Sequence, residues 1–294
     1  MAKYATFHNP ISGSGRAALM VRQITAELQA HGHEVVQFVP QSREEAIAQA
    51  RTLDESHAAL LSVGGDGTHN TIVNGLLGRS VPMLPVPAGT ENVLCKAIGI
   101  PPDTAVIREI LETGRVGPVD VALANGKAFL IMSGVGFDAA VTQEVHRHRH
   151  GPIRRRDYYL PSLRFWWGYS WPRLTVEVDG EVVAEDAALA IAGNMRLYAD
   201  GLHVCPDAQP TDGLLDICVF TRPGRWNLVK YFVSAKLGRH TRRKDVVYRQ
   251  GKRIVVRPVE NDVPFQVDGD AVGTAPVEYT IQPEGIQLFA RAYV

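Results

Sequence analysis

Residues 58–68 read AALLSVGGDGT, an apolar run that passes directly into a glycine-rich turn and then into helix-forming residues. This order predicts a buried strand, a tight turn and a helix. Glycines there let backbone N–H groups approach an anionic ligand, which the helix N-terminus also attracts. Asp66 would repel phosphate, so it is most useful holding magnesium or accepting the proton of an attacking hydroxyl. The stretch predicts phosphoryl transfer; a tight turn with a solvated aspartate is the alternative.

Length and composition are those of an ordinary soluble protein. The 294 residues can bury a large core, and their number favours two domains over one. Apolar stretches stay shorter than about 18 residues and the N-terminus does not read as a signal peptide, so we expect a cytoplasmic protein with at most peripheral membrane contact. The three cysteines lack disulfide or metal-ligand spacing.

The charges are segregated along the chain although the formal net charge is zero. Residues 146–173 hold seven Lys and Arg against one acid, and residues 225–257 hold eleven against one. Such stretches attract a membrane surface, an anionic substrate or nucleic acid. Because no nucleic-acid-binding module is recognisable, we do not expect nucleic acid as a partner.

Hydrophobic patterning divides the chain into two halves. Strand-like runs at residues 4–8, 34–39, 58–63 and 82–86 alternate with helical patterns, which predicts a parallel sheet covered by helices. From about residue 117 onward, alternating runs and Asp-Gly turns predict a mostly β half. We therefore expect an α/β domain over residues 1–117 and a second domain over residues 118–294.

Two further turns follow strands of the predicted parallel sheet. Residues 9–15 read NPISGSG after the first strand, and residues 87–92 read PAGTEN after the fourth. Open α/β sheets bind ligands beyond the carboxyl ends of their strands, so three such turns predict one binding crevice. Helix capping by Ser12, Ser14 and Thr90 is the alternative.

At this point the sequence resembles the diacylglycerol kinase catalytic-domain family, which includes bacterial lipid kinases and sphingosine kinases and is distantly similar to NAD kinases and phosphofructokinases. The resemblance covers nearly the whole chain. It implies a Rossmann-like nucleotide-binding domain, an antiparallel β-sandwich domain and transfer of phosphate from ATP to a lipid hydroxyl. The motifs that carry it are NPISG (9–13), GGDGTHN (64–70), PAGTEN (87–92), PVDVALANGKAFL (118–130), SGVGFDA (133–139), TDGLLD (211–216) and VDGD (267–270).

The resemblance also implies which residues bind ATP and magnesium. Asp66 would reach magnesium directly or through water, and a second magnesium site in the β half would use the Asp212 side chain with the carbonyls of Gln209 and Leu214. An ordinary Asp-Gly turn is the alternative for the second site. The implied ATP-binding residues are Asn9, Pro10, Ser12, Gly13, Gly64, Gly65, Asp66, Gly67, Thr68, Asn70, Gly89, Thr90 and Asn92.

Two positions depart from the bacterial members of the family. Val93 stands where they have an acidic residue, and Asp270 stands where they commonly have a glutamate that is proposed as the base. The shorter Asp270 carboxylate is set back by about 1.5 Å, a large change where reacting atoms must align. We therefore interpret Asp66 as the organiser of magnesium and a candidate base, with Asp270 as the competing base and Asp120 as support.

Residues 146–173 combine arginines, histidines and aromatic side chains. Arginine beside tryptophan suits a membrane interface, so this segment is where we expect membrane contact; an ordinary helix packed on the sandwich is the alternative. The expected reaction is phosphorylation of diacylglycerol to phosphatidate. A sphingoid-base or other long-chain alcohol kinase, and a nucleotide-binding member that has lost catalysis, are the alternatives. A homodimer is one candidate assembly.

Overall fold

A computed structural model of the chain describes residues 1–8, 15–148, 157, 166–198 and 201–291. The chain divides into two compact units. The first comprises residues 1–121 and the residues from 283 onward, and the second comprises residues 122–282. The division predicted between residues 117 and 118 falls within a strand, β5 (Arg115–Ala124).

The first unit contains a parallel sheet covered by helices, as the alternating pattern predicts. Its strand order is β2-β1-β3-β4, and the end of β16 (Val277–Ala290) lies parallel beside β4, with Leu288 opposite Met83. The strands are β1 (Lys3–His8), β2 (Glu34–Phe38), β3 (Ala59–Gly64) and β4 (Met83–Pro87). The helices are α1 (Arg16–Ala30), α2 (Arg43–Ala50), α3 (Asp66–Leu76), α4 (Val93–Ala97) and α5 (Thr104–Thr113).

Burial explains why these segments take these forms. All residues of β3 and β4 are buried, which is typical of parallel strands with both faces covered and accounts for their unbroken apolar sequences. Helix α1 buries Met20, Ile24 and Leu28, which recur every four residues and so lie on one face of the helix. The Asp103 carboxylate caps α5 by accepting the N–H groups of Ala105 and Val106.

The second unit contains antiparallel sheets. One has the order β16-β13-β8-β9, and β5 pairs with β16 and with β6; the other has the order β12-β11-β10-β7-β14-β15. The remaining strands are β6 (Lys127–Phe129), β7 (Met132–Val135), β8 (Leu174–Val178), β9 (Glu181–Ala187), β10 (Leu189–Gly193), β11 (Leu215–Phe220), β12 (Val246–Gly251), β13 (Arg253–Pro258), β14 (Pro264–Val267) and β15 (Asp270–Thr274). Among the residues that the structure describes, the α-helices α6 (Phe137–Arg147) and α7 (Arg225–Lys236) accompany these strands.

A single hydrophobic core draws residues from both sheets of the second unit. Val176, Ile217 and Val256 are fully buried in it, and the rings of Phe129 and Tyr279 meet edge to face at 6.0 Å. The Asp-Gly turns lie where the sequence predicts them: Asp179-Gly180 joins β8 to β9, and Asp268-Gly269 joins β14 to β15. Both residues of each turn have positive φ, which suits the right-handed twist of a two-residue hairpin. The expected antiparallel β-sandwich is confirmed.

Candidate functional site

The glycine-rich turns after β3 and β4 touch through their backbones. A Cβ atom on Gly89 would lie 2.5 Å from the Cα of Gly65 and 2.9 Å from the Asn92 Oδ1, so that position accepts only glycine without displacement. The Ala88 N–H donates to the Gly64 carbonyl at 2.7 Å, which joins the two strand ends. These two turns, which the sequence predicts to share one crevice, therefore lie together at the start of α3.

The Asp66 carboxylate binds the beginning of α4. Its Oδ2 accepts the Val93 N–H at 3.1 Å and its Oδ1 accepts the Leu94 N–H at 3.0 Å. Burial raises the pKa of Asp66, while these two hydrogen bonds act in the opposite direction. Each carboxylate oxygen keeps a further lone pair, so the group can cap α4 and still accept from a hydrated cation or a hydroxyl.

Asn92 and Asn70 are engaged by the protein. The Asn92 side chain accepts the Gly89 N–H at 2.8 Å and donates to the Gly89 carbonyl at 3.2 Å, and its own backbone is left-handed with φ of 50°. Asn70 is buried, and its Oδ1 accepts from the Arg43 guanidinium at 2.5 Å. These two predicted ATP-binding residues therefore have structural contacts of their own. Thr90 is exposed at the turn.

A buried polar chain fixes α3 beside β3. The His69 ring contacts the Ser62 hydroxyl at 2.9 Å through Nδ1 and the Cys95 Sγ at 3.5 Å through Nε2. Burial lowers the pKa of His69 to about 3, so the imidazole is neutral at physiological pH. A neutral ring held from both sides keeps the first turns of α3, including Gly67 and Thr68, in one position.

The predicted residues Asn9, Pro10, Ser12 and Gly13 lie outside the described residues. Asp120 lies in β5, where it is 3% exposed and accepts the Glu284 N–H at 2.8 Å. Its carboxylate thus binds the backbone of β16 within the first unit. Its support of catalysis stays a prediction.

Asp270 lies in the second unit beside groups that the sequence did not single out. Its Oδ1 is 3.9 Å from the His146 Nε2 of α6, and both side chains are about one-quarter exposed. The turn before it is held by Gln266, whose Oε1 accepts the Gly269 N–H at 2.8 Å. The Gln266 Nε2 in turn donates to the Asp138 Oδ2 at 3.2 Å. Asp270, His146, Gln266 and Asp138 therefore form one polar group around the start of β15.

Asp138 is the buried member of this group. A Cβ atom on Gly134 would overlap its carboxylate, which explains the glycine in SGVGFDA. Burial raises the pKa of Asp138 to about 6. In the sequence, Asp138 is visible only as an aspartate in the first turn of a helix that follows a Gly-x-Gly string. Acidic residues are common in the first turn of helices, so this position alone does not indicate a functional site.

The raised pKa of Asp138 predicts a pH-dependent stability difference. Between pH 4 and 6 the folded chain holds a proton at Asp138 that the unfolded chain releases, so this group lowers the free energy of unfolding as pH rises through that window. Asp138→Asn removes the effect. We expect the variant to gain stability relative to the wild type from pH 4 to 6 and to keep a constant difference above it, as measured by urea unfolding. A difference independent of pH would contradict the burial argument.

The predicted second magnesium site lies in the loop before β11. The Asp212 Oδ1 accepts the Leu214 N–H at 2.9 Å, and Gly213 has a positive φ, so the segment forms an Asx turn. Burial raises the pKa of the following Asp216, and the charges of Asp212 and Asp207 raise it further. The Asp216 carboxylate is itself bound by the protein, since it accepts the Tyr248 hydroxyl and, at 3.2 Å, the Gln250 Nε2. Among the described residues no group of three His, Cys, Asp or Glu side chains has metal-binding geometry, so the Gln209, Asp212 and Leu214 site stays a prediction.

Much of the 146–173 segment lies outside the described residues. Residues 146–148, 157 and 166–173 of the segment are described, and two of its aromatic rings pack against α6: Phe137 stacks on Trp171 at 5.7 Å and meets Tyr169 edge to face at 5.3 Å. Membrane contact by this segment stays a prediction.

Comparison with known families accounts for both units. Residues 3–124 match the diacylglycerol kinase catalytic domain, and residues 132–290 match the YegS C-terminal NAD kinase beta sandwich-like domain. The chain belongs to the diacylglycerol kinase catalytic-domain family. Membership in this family makes the chain a lipid kinase by class.

Whole-chain relatives agree with this assignment. The chain is 29% identical to a diacylglycerol kinase of Mycobacterium tuberculosis (strain CDC 1551 / Oshkosh), covering 98% of this chain and 95% of the relative. It is 26% identical to a diacylglycerol kinase of Staphylococcus aureus (strain bovine RF122 / ET3-1), covering 96% and 90%. A crystal structure of a diacylglycerol kinase from Bacillus anthracis str. Sterne has the same fold, with a TM-score of 0.73 at 20% identity and coverage of 100% and 98%. Within the described residues, no helix is both long and apolar enough to span a bilayer.

Proposed function

We propose that this member of the family transfers the γ-phosphate of ATP to the hydroxyl of diacylglycerol, with magnesium as the cofactor. The observation that carries the proposal is the backbone contact between the Gly65 and Gly89 turns at the start of α3, within the catalytic-domain match. Backbone N–H groups, short hydroxyls and one carboxylate are the groups that phosphoryl transfer requires.

The first unit would hold the nucleotide. The α3 N-terminus and the exposed Thr90 supply donors to phosphate oxygens, and the Gly65–Gly89 contact keeps Cβ atoms out of the phosphate path. Asp66 would hold magnesium, directly or through water, and bound magnesium neutralises charge on the phosphates. Because Asp66 also caps α4, the carboxylate is fixed in direction before any ligand binds.

Two carboxylates are candidates for accepting the proton of the acceptor hydroxyl. Asp66 is the first candidate, because its carboxylate lies in the first turn of α3, directly after the glycine-rich turn. Asp270 is the second candidate, and its Oδ1 lies 3.9 Å from the His146 Nε2. Each is tested by its Asn variant.

A nucleotide-binding member without catalysis is the second candidate function. It is favoured by Val93, which provides a backbone N–H to Asp66 where bacterial members of the family have an acid, and by the shorter Asp270. The two candidates differ in a single measurable respect: a catalytic member transfers phosphate to an acceptor, whereas the other only binds the nucleotide.

The test is transfer from radiolabelled ATP with magnesium to a panel of diacylglycerol, sphingosine, a long-chain alcohol and NAD, with products separated by chromatography. We expect labelled phosphatidate. If sphingosine or the alcohol is labelled in preference to diacylglycerol, that lipid is the acceptor. If NAD is labelled, the protein is an NAD kinase and the proposed reaction class is wrong. ATP binding by calorimetry without transfer to any member of the panel would favour the non-catalytic alternative.

The contact between the glycine turns predicts the effect of a single methyl group. Gly89→Ala places a Cβ 2.5 Å from the Gly65 Cα, so the turns must separate and the phosphate donors move apart. We expect ATP affinity, measured by calorimetry, to fall at least about 10-fold, the loss of one or two charge-assisted hydrogen bonds. Gly168→Ala is the control, because nothing lies within 4 Å of its added Cβ. Unchanged affinity in Gly89→Ala would show that this turn does not shape the nucleotide site.

A further inference from the structure

Helix α7 carries large hydrophobic side chains that the protein leaves in solvent. Among the described residues, five of the eleven exposed large hydrophobic side chains lie on or beside this helix. We call them the α7 patch: Trp167, Trp226, Phe232, Val233 and Leu237. Trp226 is 66% exposed and Leu237 is 63% exposed. Such a concentration marks an interaction surface, since scattered single residues would need no explanation.

The helix is attached by its opposite side. Only Tyr231 and Ala235 of α7 are buried. The Tyr231 hydroxyl accepts the Arg222 N–H at 3.1 Å, and its ring lies 4.7 Å from Phe220 at the end of β11. With the helix anchored in this way, residues 226, 230, 233 and 237 follow one another at the spacing of one helical face, and that face points away from the anchor.

Cations are interleaved with the aromatic rings of the α7 patch. The Arg225 guanidinium lies 4.7 Å from the centre of the Trp167 ring, and the Lys236 ammonium lies 5.9 Å from the centre of Phe232. Lys230 is exposed on the face that carries Trp226. The helix contains no acid, and residues 225–257 contain one, Asp245, which already pairs with Arg243 at 2.9 Å. The surface is therefore cationic as well as apolar.

All four tryptophans of the chain lie together at this surface. Trp166, Trp167, Trp171 and Trp226 line one groove of about 460 Å³ next to Arg225. Trp166 and Trp226 meet edge to face at 6.1 Å, so the groove wall is a continuous aromatic surface. Tryptophan is the residue most typical of the headgroup level of a bilayer, where the ring is half in hydrocarbon and half in water.

We infer that the α7 patch is a docking surface for an anionic phospholipid bilayer, which would bring the kinase to its lipid acceptor; the biological purpose, but not the binding, rests on the proposed function. Apolar and aromatic side chains would enter the headgroup region while Arg225, Lys230 and Lys236 meet lipid phosphates. A protein partner would also use the aromatic rings and Arg225, but Lys230 and Lys236 favour lipid phosphates, because lysine is depleted from protein interfaces. Nucleic acid fits less well, because Val233 and Leu237 offer nothing to phosphates or bases.

The test is co-sedimentation of the full chain with vesicles of phosphatidylcholine containing roughly one-third phosphatidylglycerol, without ATP or acceptor. We expect binding that weakens as salt rises, with a blue shift of the intrinsic fluorescence, since every tryptophan reports on this surface. Val233→Glu/Leu237→Glu should weaken binding at least about 10-fold, because both side chains are exposed and lose their apolar burial. Val182→Glu is the matched control, since Val182 is 50% exposed on β9 of the same unit.

Activity on a monomeric lipid and activity on a vesicle-embedded lipid together distinguish a failure of this inference from a failure of the proposed function. The double variant should phosphorylate a monomeric short-chain diacylglycerol like the wild type and lose activity on the vesicle-embedded lipid. If the wild type binds the vesicles but phosphorylates neither lipid, the proposed function is wrong and the membrane-docking inference stands. The inference is wrong if the wild type does not bind anionic vesicles, or if it binds neutral vesicles equally well. It is also wrong if the double variant binds anionic vesicles as well as the wild type does, or if the wild type prefers duplex DNA and the double variant loses that preference.

Discussion

Asp66→Asn is expected to reduce the turnover of the lipid acceptor at least about 10²-fold, because the substitution removes both the charge that would hold magnesium and one candidate base. The amide keeps the shape of the carboxylate and one of its two acceptor atoms. The measurement is the initial rate of phosphate transfer at saturating ATP and magnesium. Activity within a few-fold of the wild type would show that Asp66 neither holds the metal nor accepts the proton.

Capping of α4 by Asp66 requires a control for structure. In Asp66→Asn one of the N–H groups of Val93 and Leu94 faces an NH₂ group, so a loss of about 1 kcal/mol in unfolding free energy is expected as well. Asp103→Ala is the structural control, because the Asp103 Oδ1 caps α5 in the same unit by accepting the N–H groups of Ala105 and Val106, and asparagine would keep that acceptor. It should lose comparable stability and retain turnover, which separates the cap from the chemistry.

The parallel sheet was predictable because its signals are local. Buried strands such as β3 and β4 have unbroken apolar sequences, and the helix at Met20, Ile24 and Leu28 repeats every four residues. The Asp-Gly hairpins were equally readable, because a two-residue turn with positive φ at both positions selects those residue types. These features depend on a few neighbouring residues and on the solvent.

The contacts of the polar side chains were not predictable, because each partner comes from elsewhere in the chain. Asn70 accepts from Arg43, and the Asp66 carboxylate is bound by backbone groups 27 and 28 residues away. Helix α7 was missed for a different reason. It buries little besides Tyr231 and Ala235 and exposes its larger side chains, so the usual apolar period of a helix docked on a core is absent.

Asp268→Ala is expected to cause a large loss of stability in the second unit. Its Oδ2 accepts the Leu130 N–H at 3.0 Å, and its Oδ1 accepts those of Ile131 and Met132 at 2.9 and 3.0 Å. All three of these residues are buried, so removal of the carboxylate leaves donors that water reaches poorly. At about 1–2 kcal/mol for each of the three orphaned donors, the unfolding free energy should fall by about 3–6 kcal/mol, as measured by urea unfolding.

Asp179→Ala is the control that separates the effect of the buried N–H donors from the effect of the turn itself. Asp179 occupies the same place in the other Asp-Gly hairpin with φ of 49°, against 46° for Asp268, so alanine carries the same backbone strain at both positions. Its carboxylate also accepts N–H groups, from Lys252 at 3.0 Å and Arg253 at 2.9 Å, but at an exposed position where water replaces it. We therefore expect a loss of only about 1–2 kcal/mol for Asp179→Ala. Equal losses in the two variants would mean that turn strain, rather than the buried donors, dominates. The Asp268 carboxylate would then contribute little to holding the loop between β6 and β7.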